Sequence, residues 1–378
     1  MADSVHLANW LQNMRGLPFD LTLISSSPHR KIHPKIIELL GSSKGRPLKV
    51  NIPWWSQRFG LMLWALDVVL SNRLRGYLTR KVIKKTGPDL IHVVEFQHAG
   101  YILLRAVSGT AGFPIPLVLA SNYGSDIYWF QRFSQHKAKI MALLHIANFY
   151  TSECNRDLAL AAALGFKGKS TVIPNTGGIN EKLLLGELPL APTSERKTIV
   201  LKGYHNKFGQ ALFAVGALWR VRRQLSGFKV VSVSTNLITA FALIILKWTS
   251  GIKVSFHLKG RLANQEVLAV LSQARVYVGL SKSDGISTSL LEAMAMGAFP
   301  IQTGTSCASE WINSGSTGGI VSLGDRAELE GWVTRALCDD SLVNSAQAAN
   351  RAKIQAEYTR REMTSKVENL YRRILVTL

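Results

Sequence analysis

Short apolar or β-branched runs alternate with longer stretches of helical spacing along most of the chain. Runs that predict strands occupy residues 20–24, 89–94, 115–119, 147–151 and 170–173, then 198–202, 229–234, 253–257, 276–280 and 299–303. Between them lie segments whose apolar positions recur every three to four residues, among them 158–164, 210–224, 265–273 and 288–296. Strand, helix and strand repeated in this order predict an α/β chain of parallel sheets with helices on both faces.

The stretch GELPLAPTSERK at 186–197 interrupts this order with two prolines and polar residues before a fresh strand. Two doubly wound, Rossmann-like domains are therefore expected to meet near residue 195 and to face each other across a cleft. The first covers 1–190 and the second 196–355. A terminal helix over 356–378 places Tyr358, Met363, Val367, Leu370, Tyr371 and Ile374 at helical spacing and is expected to pack back on the first domain. The longest apolar run, 237–246, falls short of the roughly 20 residues that a membrane span needs and is expected to be a buried helix. In open parallel sheets ligands bind beyond the carboxyl ends of strands, so the loops after strands are where chemistry is sought.

Composition supports a folded chain: 47% of its 378 residues are apolar and 18% charged. Cys154, Cys307 and Cys338 are scattered, which argues against a disulfide framework and a structural zinc site. The net charge of +21 calls for anionic partners: nucleic acid, a phosphorylated small molecule or an acidic membrane. The bias is sharpest over 30–85, where 13 Lys and Arg face only Glu38 and Asp67. Within it, Trp54, Trp55, Phe59, Trp64 and Leu66 lie among Arg58, Arg73, Arg75, Arg80 and Lys81, the makeup of an interfacial helix on anionic lipid. Residues 1–11 carry no secretory signal, so a cytoplasmic protein held on the inner face of the cell membrane is expected.

The chemistry concentrates in VYVGLSKSDGISTSLLEAMAMGAFPIQTG at 276–304. A strand runs into a polar loop and then a helix opened by Ser287 and Thr288, whose first N–H groups and dipole make an anion site. Asp284 stands on the loop and Glu292 one turn into the helix, two carboxylates suited to sugar hydroxyls. This segment resembles the Glu-x7-Glu region of retaining glycosyltransferases of family 4 (glycosyltransferase group 1), which have the GT-B fold. The resemblance continues in order through DLIHV at 89–93, YGSDI at 123–127, TSECNRD at 151–157, VIPNTGG at 172–178 and SEWINSGSTGGIV at 309–321.

The resemblance implies that Glu292 binds the ribose of a nucleotide-sugar donor and that Asp284 sits at the donor sugar. It also implies that backbone around Gly285, Ile286, Ser287 and Thr288 lies close to sugar and phosphate. Such enzymes retain anomeric configuration and work without a metal or a resident cofactor, with cations stabilising the leaving diphosphate. Departures from the family pattern are informative. Asp284 replaces Glu, Ser287 replaces a frequent Gly, and the expected Gly-Arg-Leu opening of the second domain is VLKGYHNKFGQAL, leaving Lys202 and Lys207 as the available cations. Tyr123 stands where His is frequent, so Asp126 on the same loop and His98, beside Glu95 after a strand, become the acid-base candidates. Residues 2–12 read as a helix where the family opens with a strand. That strand is expected to be missing, by a start placed too far downstream, since losing a central strand leaves ladder partners unpaired.

The function expected is that of a hexosyltransferase-type glycosyltransferase in cell-surface polysaccharide or lipopolysaccharide biosynthesis. It would move a sugar from a nucleotide donor to a lipid-linked glycan. A basic nucleic-acid-binding protein is the rival from another class, although no helix-turn-helix, RNA-recognition or zinc-finger signature supports it. A GT-B-fold sugar-nucleotide epimerase is the enzyme rival.

Overall fold

The computed structural model describes residues 5–26, 32–41, 48–108, 114–174, 177–184 and 190–377, with the side chains of 40, 57, 58 and 68 left aside. Arg30, Lys31, Lys44 and Arg46, the Arg58 side chain, and 186–189 of the proline-bearing stretch thus lie outside the described residues, as do 175 and 176 of VIPNTGG. Contacts divide the chain into one unit of residues 1–177 with 363–378 and another of 178–362. The division falls earlier than the expected boundary near 195, because residues 178–184 pair with the segment before the terminal helix: the Arg360 N–H donates to the Ile179 carbonyl at 2.9 Å.

The first unit holds β1 (Asp20–Thr22), β2 (Lys49–Asn51), β3 (Leu90–Val94), β4 (Leu117–Ser121), β5 (Phe149–Ser152) and β6 (Lys169–Val172). β1 and β2 form a parallel pair, and β3 to β6 form a separate four-stranded parallel sheet in chain order. One core joins the Val5–Asn13 helix to both sheets and to the helix Arg360–Leu375, through Leu7, Trp10, Val50, Leu119, Val367 and Tyr371. A polar chain crosses that core. The Trp10 indole donates to the Tyr371 hydroxyl at 3.0 Å, His92 lies 2.9 Å from that hydroxyl and 2.7 Å from Ser121, and Ser121 meets Thr151 at 2.6 Å.

In the second unit a six-stranded parallel sheet is built from β7 (Thr198–Lys202), β8 (Lys229–Thr235), β9 (Lys253–Leu258), β10 (Ala274–Gly279), β11 (Phe299–Thr303) and β12 (Gly319–Val321). The central strands β10 and β11 are buried along their whole length, as strands covered on both faces must be, which is why they read as continuous apolar runs. Their spatial order is β12-β11-β10-β7-β8-β9, so the chain winds outward one way from β7 and the other way from β10. The reversal between these neighbours is the topological switch point of this sheet.

Two expectations are corrected. Residues 237–246 belong to the helix Leu237–Ser250, capped by Asn236 accepting from the Thr239 N–H and closed at Gly251. Ala240, Leu243 and Leu246 are buried against the sheet, but Leu237, Phe241 and Trp248 on the other face are exposed, because the sheet covers only one side of an outer helix. Residues 53–85 are not one helix but three, Trp54–Arg58, Gly60–Leu70 and Arg73–Thr86, the last two separated by left-handed Ser71 and Asn72 at φ 51° and 64°. Arg75, expected on the lipid-facing side, is buried and paired with buried Asp67 at 2.8 Å, because Asp67 also accepts the Leu74 and Arg75 N–H groups that open the third helix. Among the described residues no helix is long and apolar enough to cross a membrane.

Candidate active site

At the switch point of the second unit, β7 ends on Lys202 and β10 runs into the loop that carries Asp284. The two loops are sewn together, with the Lys282 N–H donating to the Phe208 carbonyl at 2.8 Å and Gly209 bridging to Ser281. Gly203 and Gly279 keep this junction tight, since a Cβ on Gly203 would meet Ser232 and Thr235 and one on Gly279 would meet Gln302 and Tyr277. Lys202 Nζ reaches Ser287 Oγ at 2.9 Å and lies 3.6 Å from Asp284 Oδ2, with its ammonium 5.0 Å from the centre of the Tyr204 ring. Burial by itself would lower the Lys202 pKa, but Tyr204, Asp284 and Tyr277 reverse the effect and hold the ammonium charged.

Ser287 stands at the N-cap of the helix Thr288–Ala295 but its hydroxyl makes no cap hydrogen bond, being turned to Lys202 and to Ser289 at 3.1 Å. Ser289 in turn meets the buried Tyr277 hydroxyl at 2.8 Å. Positive charge therefore gathers at one place from two sources, an ammonium and the dipole of a helix start. Asp284 turns Oδ1 back to the Gly285 N–H at 3.0 Å, and Ile286 is buried beneath the loop. Glu292 is only 9% exposed, with Oε1 accepting from Asn264 Nδ2 at 2.6 Å. Burial raises its pKa to about 7, against the opposing pull of Asn264 and Lys202. Lys207 is exposed with its ammonium over the Phe208 ring, whereas Lys202 is the cation against Asp284.

The remaining candidates lie in the first unit. Past β3, Glu95 takes φ 77°, a strained value for a residue with a Cβ, and opens the short π-helix Phe96–Gly100 that carries His98. His98 Nε2 is 3.6 Å from Glu95 Oε1, too far for a hydrogen bond, and burial followed by the Arg75 charge lowers its pKa. Asp126 is buried, and one carboxylate oxygen accepts both the Phe96 N–H at 3.0 Å and the Tyr123 N–H at 3.1 Å, tying the loop after β4 to the turn after β3. Burial raises its pKa, and neighbouring Glu95 raises it further. Glu153, after β5, braces the same loop by accepting the Gly124 N–H at 3.1 Å.

No sequence pattern marks Asn264, Tyr204 or Tyr277 as members of this cluster. Asn264 starts a separate helix 28 residues before its partner Glu292, so no local spacing links them. Tyr204 was visible two residues after Lys202, but only folding turns its ring toward the ammonium.

A family model described as Glycosyl transferases group 1 matches residues 198–339, and these contain Lys202, Asp284 and Glu292. The matched segment lies wholly within the second unit. Solved structures similar to the whole chain include sucrose-phosphate synthase from Thermosynechococcus elongatus, with TM-score 0.69 and 17% identity over 98% of this chain and 92% of that one. A glycosyltransferase from Rickettsia africae has TM-score 0.66 and 16% identity over 98% and 93%. HepE from Anabaena, in complex with UDP and glucose, has TM-score 0.64 and 14% identity over 99% and 95%. At such identities the likeness establishes the fold, which is of GT-B type. Compared with curated proteins, the chain has no significant match. Within the matched segment the Lys202 cluster lies at the switch point, where open parallel sheets receive ligands.

Proposed function

We propose that the chain is a retaining, metal-independent glycosyltransferase that uses a nucleotide-sugar donor. The observation that carries this reading is the meeting of Lys202, Asp284 and Ser287 at a helix start on the switch point of a group 1 domain. The donor diphosphate would lie against the Lys202 ammonium and the start of the helix Thr288–Ala295, with backbone of 285–288 beside it. Glu292 would accept hydroxyl hydrogens of the ribose, and Asp284 those of the donor sugar.

Transfer breaks the bond between the anomeric carbon and the departing phosphate oxygen and forms a bond from that carbon to the acceptor oxygen. The acceptor proton passes to the departing phosphate, and attack on the face of departure retains configuration. Charge grows on the diphosphate as the bond stretches, so a fixed ammonium acts more on the transition state than on the bound donor. Asp126 is read as a positioning residue, its shared oxygen already engaged by two backbone N–H groups. His98, half-exposed and with its pKa lowered by burial and then by the Arg75 charge, is read as the candidate for acceptor contact.

The acceptor we favour is a lipid-linked glycan of surface polysaccharide or lipopolysaccharide assembly, held at the cytoplasmic face of the membrane. Supporting it, Leu61, Met62, Leu66 and Val69 of the helix Gly60–Leu70 are exposed, and Arg73, Lys81, Lys84 and Lys85 follow on the exposed side of the next helix. Nucleotide release from UDP-, GDP-, ADP- and CMP-sugars, with and without EDTA, tests the reading. Lys202→Ala should lower kcat by about 100- to 1,000-fold with a smaller change in KM, and EDTA should leave the wild type unchanged. Equal turnover in Lys202→Ala, or loss on chelation, contradicts it.

A further inference from the structure

The outer face of the helix Leu237–Ser250 has no part in the donor site. Leu237, Phe241, Ile245 and Trp248 are spaced four, four and three residues apart and form one stripe, with exposures of 77%, 65%, 47% and 83%. Such large apolar side chains laid in a row on a well-capped helix lose nothing by facing a nonpolar phase and a good deal by facing water. Trp219, also exposed, is joined to the end of this helix by donating from Nε1 to Thr249 Oγ1 at 3.1 Å.

The stripe ends in a basic depression. At the carboxyl end of the helix, beside Ser250 and Gly251, one concave surface is lined by Lys197, Arg222, Arg223, Lys229 and Lys253. The Arg222 guanidinium lies 4.3 Å from the centre of the Trp219 ring, which couples the basic surface to the apolar one. Between Glu195 and Glu266 the chain has no Asp or Glu but twelve Lys and Arg. Arg220, two residues before Arg222, is paired with Glu330 at 3.1 Å.

We propose that this face of the second unit docks on an anionic lipid surface, separately from the exposed helices near residues 54–85. Aromatic and aliphatic side chains of Leu237–Ser250 enter the headgroup boundary, and the cations of the depression take lipid phosphates. An apolar stripe bordered by cations on one exposed helix face has the chemistry of interfacial attachment, each part weak and the two together additive. A second copy docked face to face would set the five cations of the depression against like charges, whereas lipid phosphates neutralise them.

The test is flotation of the full chain with vesicles of phosphatidylcholine, alone or mixed with phosphatidylglycerol. Wild type is compared with Phe241→Ser/Trp248→Ser and with Arg222→Glu/Arg223→Glu, and melting temperatures check that each variant is folded. Each pair of changes should weaken partition to the anionic vesicles by about tenfold, and the charge reversals should also flatten its salt dependence. Because residues 54–85 remain intact, a second reading isolates this face: vesicles with brominated acyl chains should quench the Trp248 emission, taken as the difference between wild type and Trp248→Phe. Undiminished partition in both variants, or no quenching of Trp248, overturns the proposal. So does a concentration-dependent dimer that Trp248→Ser abolishes without altering flotation, which assigns the face to a second copy.

Discussion

Glu292 shows most directly what a binding site demands of a single side chain. Its carboxylate is almost wholly buried, and the ordinary value near 4.5 is raised to about 7 by loss of water. Between those values the unfolded chain has already released the proton that the folded chain still holds, so stability falls as pH rises from 4.5 to 7 and is constant above. Glu292→Gln removes this cost and keeps an oxygen for the Asn264 amide. Urea unfolding at pH 8 should find the variant more stable by roughly 1–3 kcal/mol, with the difference closing toward pH 4. A difference that does not vary with pH would mean that Glu292 ionises freely. A position kept at such expense, beside a charged lysine and a helix start, is suited to accepting hydroxyl hydrogens from a ligand that arrives there. The Glu292 position was legible from its spacing to Asp284, while its partner Asn264 was not, because that contact joins two helices.

At the level of elements, the strands were legible wherever burial on both faces made a continuous apolar run, as in β7, β10 and β11. β2 and β12, three residues each, carry no distinct run, whereas the equally short β1 is announced by an apolar pattern that continues past it to Ile24. The Leu237–Ser250 helix was misread for the opposite reason: when apolar residues occur all round, periodicity cannot say which side is covered. His92 of β3 is a further case, a polar residue in an apolar strand whose place is set by the terminal helix 279 residues away through Tyr371. Burial lowers its pKa from 6.5 to about 3, so it is neutral in the fold. Unfolding releases it to bind a proton, and stability present above pH 6.5 is lost as pH falls toward 3. Hydrogen exchange of the β3 and β4 amides should therefore show a stability slope steeper by up to one proton, about 1.4 kcal/mol per pH unit, in wild type than in His92→Gln. Equal slopes would place the acid sensitivity of the first unit elsewhere.

Over the whole molecule, the alternation of strand and helix announced two parallel-sheet units, but the division at residue 178 depended on pairing between Ile179 and Thr359 that adjacent sequence does not reveal. The large positive charge, which by itself leaves nucleic acid, membrane and nucleotide open, is divided by the fold among separate places. One lysine is held at the switch point, Arg75 and Arg275 are buried in structural contacts, and other cations lie at the surface. In the function proposed above, the Lys202, Asp284 and Glu292 cluster binds the nucleotide of a sugar donor. Thermal unfolding with UDP, GDP, ADP and CMP, on wild type and Glu292→Ala, tests it most directly. One nucleotide at 100 times its Kd should stabilise the wild type by about 2.7 kcal/mol and leave the variant unmoved. The same stabilisation in both proteins, or none by any nucleotide in a folded wild type, would contradict it.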